Sequence, residues 1–468
     1  MNQSLPPADP VIAIPVLPRP APVSVKWRLG IASAVIVLAL TAYGMRSVIG
    51  LRGQSFIGVI FFFGLIALFS TNLRAVNWRT IYWGFGLQLL LAVLVLKVQV
   101  VHQGFELLGE GVKKFVSFSD KGGRFVFGNL ADARPPDSGG TWSRLFEPGT
   151  YAFQFAFVAL PPILFVSAFF TVLSHFGILH RCIRLLARLM AHLMRTSGAE
   201  TLSVSANAFM GQTEAPLIIK DYLPRMTTSE LFAVMVSGFA HISGGMMAVY
   251  INYGADPVAI LTTCVMACPG SLYLAKLFRP ETEIPETSAT AFRQVEKSPY
   301  VNAIDAAARG TIDGLRLAAN VAAMLIVFIA FVSMFDSLLS VLDQNLSLSK
   351  VFGWIFAPAA FLIGVDSKDA QNVGTLLGMK LSTNEHYAYL QMKEWKMTPD
   401  FMTERSYKLA AFALTGFANF ASVGIQIGGI GALAPSRARD LAELGGQALF
   451  VGFVATLLNA AIAGVLLP

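Results

Sequence analysis

The sequence predicts an all-α polytopic membrane protein of about nine transmembrane helices plus two re-entrant hairpins, arranged as an inverted repeat. Three observations lead there. Of 468 residues, 55% are hydrophobic and 13% charged, with a mean hydropathy of +0.61, whereas a soluble domain carries roughly 25% charged residues. Apolar runs near 29–43, 55–70, 82–101, 151–176, 231–252, 258–277, 317–342, 409–433 and 448–468 are long enough to cross a bilayer, which takes roughly 20 helical residues with tilt and fraying allowed. Two further intervals, 200–224 and 351–390, are apolar but interrupted by polar residues. Broken backbone at membrane depth is tolerated only where it is buried in protein or lines a cavity.

The elements follow in order. Residues 1–27, rich in proline, read as a disordered cytoplasmic tail, not a cleaved signal peptide. Residues 28–53 hold an additional N-terminal transmembrane helix. Residues 54–197 hold further spans and end in 180–195, where Arg181, Arg184 and Arg188 alternate with Ile183, Leu186 and Leu189. That pattern predicts an interfacial amphipathic helix, or else a basic continuation of the preceding span. The first repeat occupies 198–310, a separate helix 311–345, the second repeat 346–440, and a C-terminal transmembrane helix 441–468.

Charge placement gives the orientation. Arg74, Arg79, Arg181, Arg184, Arg188, Arg195, Lys276, Arg279, Arg293, Lys297, Arg437 and Arg439 fall on one face, which the distribution of basic residues makes cytoplasmic. The short connection 253–257 carries Asp256 and no basic residue, and so lies outside. The basic segment 102–149 would also lie outside, as a long loop that the rule governs poorly. An odd number of spans then places the N-terminus in the cytoplasm and the C-terminus outside. The formal charge is +7, but its basic residues flank apolar segments, so no nucleic-acid partner is expected. Cys182, Cys264 and Cys268 supply no disulfide framework; the last two, one helical turn apart, read as packing residues.

Each interrupted interval precedes a long span with a polar break of its own. Ser237-Gly238-Phe239-Ala240-His241-Ile242-Ser243 parallels Thr415-Gly416-Phe417-Ala418-Asn419-Phe420-Ala421. Such duplication of hairpin and broken helix is the pattern of transporters whose site lies at the repeat interface. Glu214 and Glu385 are the anchors, since a carboxylate within a membrane segment costs several kcal/mol and persists only with partners or a function. A buried Lys or Arg, or a water boundary, is the alternative account of each. Gln212 and Thr213 beside Glu214, and Asn384 beside Glu385, add donors and acceptors suited to a neutral solute rich in hydrogen-bonding groups, and an anion would be repelled. Phe417 could stack on a ring or simply pack. An intramembrane enzyme with Glu214 and Glu385 as acid and base is the competing class, and a channel the other. Neither H-E-x-x-H nor G-x-x-x-x-G-K-[ST] occurs, so no cofactor is expected.

The runs Asn207-Ala208-Phe209-Met210-Gly211-Gln212-Thr213-Glu214-Ala215-Pro216, Asn384-Glu385 and Gly416-Phe417-Ala418-Asn419-Phe420-Ala421-Ser422-Val423-Gly424-Ile425 resemble the signatures of concentrative nucleoside transporters. The likeness runs from about residue 55 to the end, through Pro280-Glu281-Thr282-Glu283 and Asn320-Val321-Ala322-Ala323-Met324. It implies a symporter of the inner (cytoplasmic) membrane that imports nucleosides such as uridine, cytidine and adenosine. It also implies a homotrimer in the lipid bilayer, with scaffold helices and an inverted-repeat transport domain that moves as an elevator. Gln212, Thr213 and Glu214 would face the nucleobase, with Met246 and Leu317 lining the pocket. Glu385, Asn419 and Ser422 would hold the ribose, with Phe417 beside it. A sodium ion would sit at Asn207, Met210 through its carbonyl, His241 and Ile242.

Here the chain departs from the family pattern. Position 241 commonly supplies a hydroxyl to sodium, and imidazole is a poor ligand for that hard cation but a good proton carrier. His241 therefore carries the coupling proton itself, points away and leaves carbonyls to sodium, or packs; the coupling ion, sodium or proton, stays open. His386, where the family tends to have an apolar residue, is a second departure, and the span before residue 55 has no counterpart in the shortest bacterial members.

Overall fold

The computed structural model describes residues 24–128, 157, 160–287, 300–344 and 346–468. The expected N-terminal tail therefore falls almost wholly outside the described residues, as do 151–156 of the fourth expected span and the basic residues Arg293 and Lys297. What is described is built of α-helices joined by short turns.

The chain starts with α1 (Val25–Gly44) packed along α2 (Arg46–Leu68). Gly50, at φ +62°, puts a kink inside α2, a conformation that glycine alone adopts at little cost. Then come α3 (Trp78–Lys97) and α4 (Gln99–Phe127). The expected long loop at 102–149 is thus helical as far as Phe127. Next, α5 (Leu160–His175) and α6 (Ile178–Met194) meet at a 75° bend, turned at Gly177 with φ +70°. Leu179, Ile183, Ala187, Met190 and Met194 form the buried stripe of α6, while Arg181 and Arg188 are exposed. This is the amphipathic pattern expected of 180–195, except that Leu189 faces outward.

The first repeat begins with α7 (Gly198–Ala206), opened by a capping box in which Ser197 and Glu200 satisfy each other's backbone N–H groups. Two 3₁₀ turns, Ala215–Ile219 and Leu223–Arg225, lead to α8 (Thr228–Ala240), which has the same box at Thr227 and Glu230. The helix breaks over 241–243 and resumes as α9 (Gly244–Asn252), capped by Ser243. Asp256 caps α10 (Pro257–Phe278). Lys276 of α10 reaches Glu200 at 2.8 Å and Glu281 at 3.1 Å, tying the start of α7 to the end of α10.

A long helix, α11 (Ala303–Leu342), packs against α5. The second interrupted interval, expected as one hairpin, is three helices: α12 (Leu348–Leu362), α13 (Ala370–Ser382) and α14 (Glu385–Lys396). Gly364, Asp366 and Asp369 belong to the turn between α12 and α13, and Thr383 and Asn384 to a second turn. Asp369 does not sit at a tip but accepts from Thr403 N–H and Oγ1, both at 3.0 Å. Finally α15 (Glu404–Leu414) breaks over 415–419 into α16 (Phe420–Leu433), and α17 (Ala438–Leu466) follows.

Six helices among the described residues are long and apolar enough to cross a membrane, or seven if the bent α5–α6 pair is one span. Of the other expected runs, 409–433 is divided by its break into α15 and α16, and 317–342 forms the later part of the 40-residue α11. Burial sorts the six: α8 with α9, α10, and α17 are 89%, 94% and 83% enclosed, against 11%, 33% and 39% for α1, α2 and α3. The broken α8–α9 pair, α10 and α17 thus lie at the centre and the N-terminal helices at the periphery.

Candidate functional site

A polar line crosses the centre where the two repeats meet. Glu385, the first residue of α14, accepts from Tyr250 OH at 2.7 Å and from Asn419 Nδ2 at 3.0 Å. Asn419 is at once the N-cap of α16, its Oδ1 receiving Ser422 N–H at 2.8 Å. Ser422 Oγ accepts from Gln212 Nε2 at 3.1 Å, and Gln212 Oε1 accepts from Gln426 Nε2, also at 3.1 Å. Gln426 donates further to the Met235 carbonyl at 3.2 Å. Glu385, Asn419, Ser422 and Gln212, each buried, are thus brought into one network.

Two further members escaped the sequence reading. Tyr250, fully buried, stacks on Tyr389 with centroids 4.4 Å apart and lies within the apolar run 231–252. Gln426 stands in an Ile- and Gly-rich run of α16, an amide alone among apolar neighbours; that contrast was the available signal.

The other predicted residues surround this line. Glu214 is exposed at the tip after α7, its Oε2 accepting from Gly211 N–H at 3.1 Å. Thr213 lies against α16 so closely that a Cβ at Gly429 would be 2.7 Å from its Cγ2. Met246 is buried in the first turn of α9, its N–H held by Ser243 Oγ at 3.3 Å. Phe417 is half-buried in the second break, and Leu317 is half-buried on α11.

The first break forms a second cluster. Asn207, the C-cap of α7, donates from Nδ2 to Ser237 Oγ at 3.1 Å, while its Oδ1 is buried with no hydrogen-bond partner among the described residues. His241 Nδ1 faces the Ser237 carbonyl at 2.8 Å, so Nδ1 carries the proton, and Nε2 faces Cys268 Sγ at 3.4 Å. The ring is turned back along α8 and towards α10. Ile242 is buried in the break, and Met210 lies half-buried at the tip. Gly244 N–H donates to the Phe209 carbonyl at 3.1 Å, binding the tip to the break. Across the centre, Phe417 N–H donates to the His241 carbonyl at 3.0 Å, so the two breaks touch.

Gly416 makes that meeting possible. Its φ is +152°, and a Cβ there would lie 2.6 Å from Thr456 Cγ2 and 2.9 Å from the Phe239 carbonyl. Only a residue without a side chain fits such an approach.

Comparison with known proteins agrees with this layout. The chain matches, in order, the family profiles described as Na+ dependent nucleoside transporter N-terminus over 57–130, Nucleoside recognition over 156–256, and Na+ dependent nucleoside transporter C-terminus over 259–464. It is 37% identical over 429 residues to solute carrier family 28 member 3 of Mus musculus, a match covering 88% of this chain and 58% of that one. Against the Rattus norvegicus protein of the same name the identity is 36%, covering 94% and 62%. The chain therefore spans less than two thirds of the length of these mammalian relatives. An uncharacterized transporter of Haemophilus influenzae is 37% identical, covering 88% of this chain and 97% of that one. Among solved structures, CNTnw in an inward-facing substrate-bound state superposes with a TM-score of 0.82 at 33% identity, covering 88% and 97% of the two chains. A variant of CNTnw in an outward-facing state gives 0.81 at 32% identity, covering 89% and 97%. With a full-length relative well above 30% identity and three family profiles in sequence, the chain belongs to the concentrative nucleoside transporter family.

Proposed function

We propose that the chain is a symporter that imports nucleosides across the cytoplasmic membrane, with sodium as the coupling ion. The observation that carries the reading is the line Tyr250, Glu385, Asn419, Ser422, Gln212 at the meeting of the two breaks. Its ends differ in chemistry. At one end a carboxyl group accepts hydrogen bonds, as sugar hydroxyls donate them; at the other, amides offer both donors and acceptors to the edge of a base. Glu385, Asn419 and Ser422 take the ribose, Gln212, Thr213 and Glu214 the base, with Met246, Leu317 and Phe417 as apolar walls. Names among the relatives support the solute class, such as sodium/nucleoside cotransporter 1 of Homo sapiens, 37% identical.

Sodium is favoured by the direction of the His241 ring. Both ring nitrogens are occupied, by Ser237 and Cys268, whereas Asn207 Oδ1 lacks a partner. An amide oxygen with the carbonyls of Met210 and Ile242 is the donor set that a hard cation takes, and the ion is cargo here, not a resident metal.

The reading extends to architecture. Residues 198–310 and 346–440 form the mobile transport unit, with one re-entrant hairpin in the first part and a second made by α13 and α14 around the turn at Thr383 and Asn384, and 54–197, 311–345 and 441–468 the scaffold of a homotrimer. Residues 28–53 add a helix that brings the spans to about nine, with the N-terminus cytoplasmic and the C-terminus outside. The match to CNTnw in inward- and outward-facing states supports alternating access. One positive charge moving down 100 mV supplies about 2.3 kcal/mol, enough for about fifty-fold accumulation.

Uptake of labelled uridine into proteoliposomes, with sodium and proton gradients imposed independently, tests this. A sodium gradient alone is expected to drive uptake. Uptake driven by protons alone would return the coupling role to His241, and none with either ion would remove the solute assignment.

A further inference from the structure

Lys380, on the last turn of α13, is fully buried. A buried ammonium is costly unless its protons find acceptors. Its Nζ donates to the Ala413 carbonyl at 2.8 Å and to Thr456 Oγ1 at 2.9 Å, and lies 5.4 Å from the centre of the Phe453 ring. Among the described residues no carboxylate oxygen is within ion-pair distance of it, although Glu385 lies within electrostatic reach. A carbonyl oxygen, a hydroxyl oxygen and an aromatic face are what an unattached monovalent cation would seek.

The position is as telling as the ligands. Ala413 is the penultimate residue of α15, just before the second break. Carbonyls at a helix C-terminus lack intrahelical partners and attract positive charge. Thr456 and Phe453 lie on α17, so the three groups around the ammonium come from two elements, α15 and α17.

We propose that Lys380 is a tethered cation whose ammonium fills an oxygen site for a monovalent cation at the end of α15, formed by the Ala413 carbonyl, Thr456 Oγ1 and the Phe453 ring.

The test is thermal unfolding of the purified full-length protein in detergent, in choline chloride at fixed ionic strength, with sodium or n-propylammonium substituted for choline. Propylammonium supplies the atoms that Lys380→Ala removes. That variant is expected to unfold at a lower temperature in choline and to recover saturably as propylammonium is added, as binding to the native state requires. Wild type should show no such recovery. Lys380→Met, which fills the stem space without the charge, is expected to be destabilised and not rescued. A Lys380→Ala protein that recovers with neither cation, or a Lys380→Met protein as stable as wild type, would overturn the proposal. Should Lys380→Ala not survive purification in choline, extraction in the three salts gives the same comparison: monodisperse protein recovered only with the amine or sodium supports the site, and recovery with none rejects it. No readout uses a nucleoside or a gradient, so this result and the transport result stand or fall separately.

Discussion

Glu385 accepts from Tyr250 and Asn419 with both of its oxygens engaged, so its buried carboxyl is met by hydrogen-bond donors instead of a cation in direct contact. Hydrogen bonds to a charged group contribute about 1.5–3 kcal/mol. Glu385→Gln is therefore expected to weaken nucleoside binding on the order of 10- to 100-fold, with the unfolding temperature little changed; calorimetric titration of the purified variant measures it, and wild-type affinity would remove the ribose assignment. Gln426→Leu leaves two acceptors, Gln212 Oε1 and the Met235 carbonyl, without their donor, which costs about 1–3 kcal/mol when such groups are buried. Its expected signature is a lower unfolding temperature together with a shifted purine to pyrimidine preference in competition uptake. Much of this site was legible in the sequence because a polar residue in an apolar run is energetically conspicuous, and Gln212, Glu385 and Asn419 announced themselves in that way. Tyr250 did not, since its ring packs like any aromatic and only its hydroxyl takes part. Lys380 was hidden for the opposite reason: a long stem lets lysine be read as reaching for the surface when its ammonium is enclosed.

The breaks at 241–243 and 415–419 were readable as elements through the repeated Gly-Phe-Ala, and the structure gives Gly416 its physical duty. With φ at +152° and no room for a Cβ, Gly416→Ala is expected to cost about 1–3 kcal/mol from backbone strain alone, with steric displacement of Thr456 adding to it. Chemical denaturation of the variant reads this directly; unchanged stability would mean that the second break relaxes without penalty. The caps are gentler. Thr227→Ala removes the side chain that receives Glu230 N–H and is expected to cost about 1 kcal/mol. Where the sequence misled, turn signals were ambiguous. Gly364, Asp366 and Asp369 are as turn-like as Thr383 and Asn384, so two turns and three helices were read as one hairpin. The basic segment 102–149 was read as a loop, although α4 packs so closely on α10 that a Cβ added at Gly109 would lie 2.4 Å from Pro257 Cβ.

The molecule as a whole is graded from a dense centre to an apolar rim. α1 is the extreme, only 11% enclosed and packed on α2, so removal of residues 1–44 is expected to leave uptake and unfolding temperature of the remainder intact; loss of either would make α1 part of the working core. Inside, α3, α10 and α17 are laced together by Tyr273 OH to Gln88 Oε1 at 2.5 Å and Gln88 Nε2 to Asn459 Oδ1 at 2.6 Å. None of this was visible from hydropathy, which counts apolar length and is blind to which faces meet. The bond from Phe417 N–H to the His241 carbonyl has a consequence on the same scale. It ties the wall of the proposed solute pocket to the wall of the proposed ion pocket through one backbone hydrogen bond. A shift of the His241 peptide on ion binding would then reach Phe417 directly, and reciprocity requires that any factor by which the ion tightens the solute equals the factor by which the solute tightens the ion.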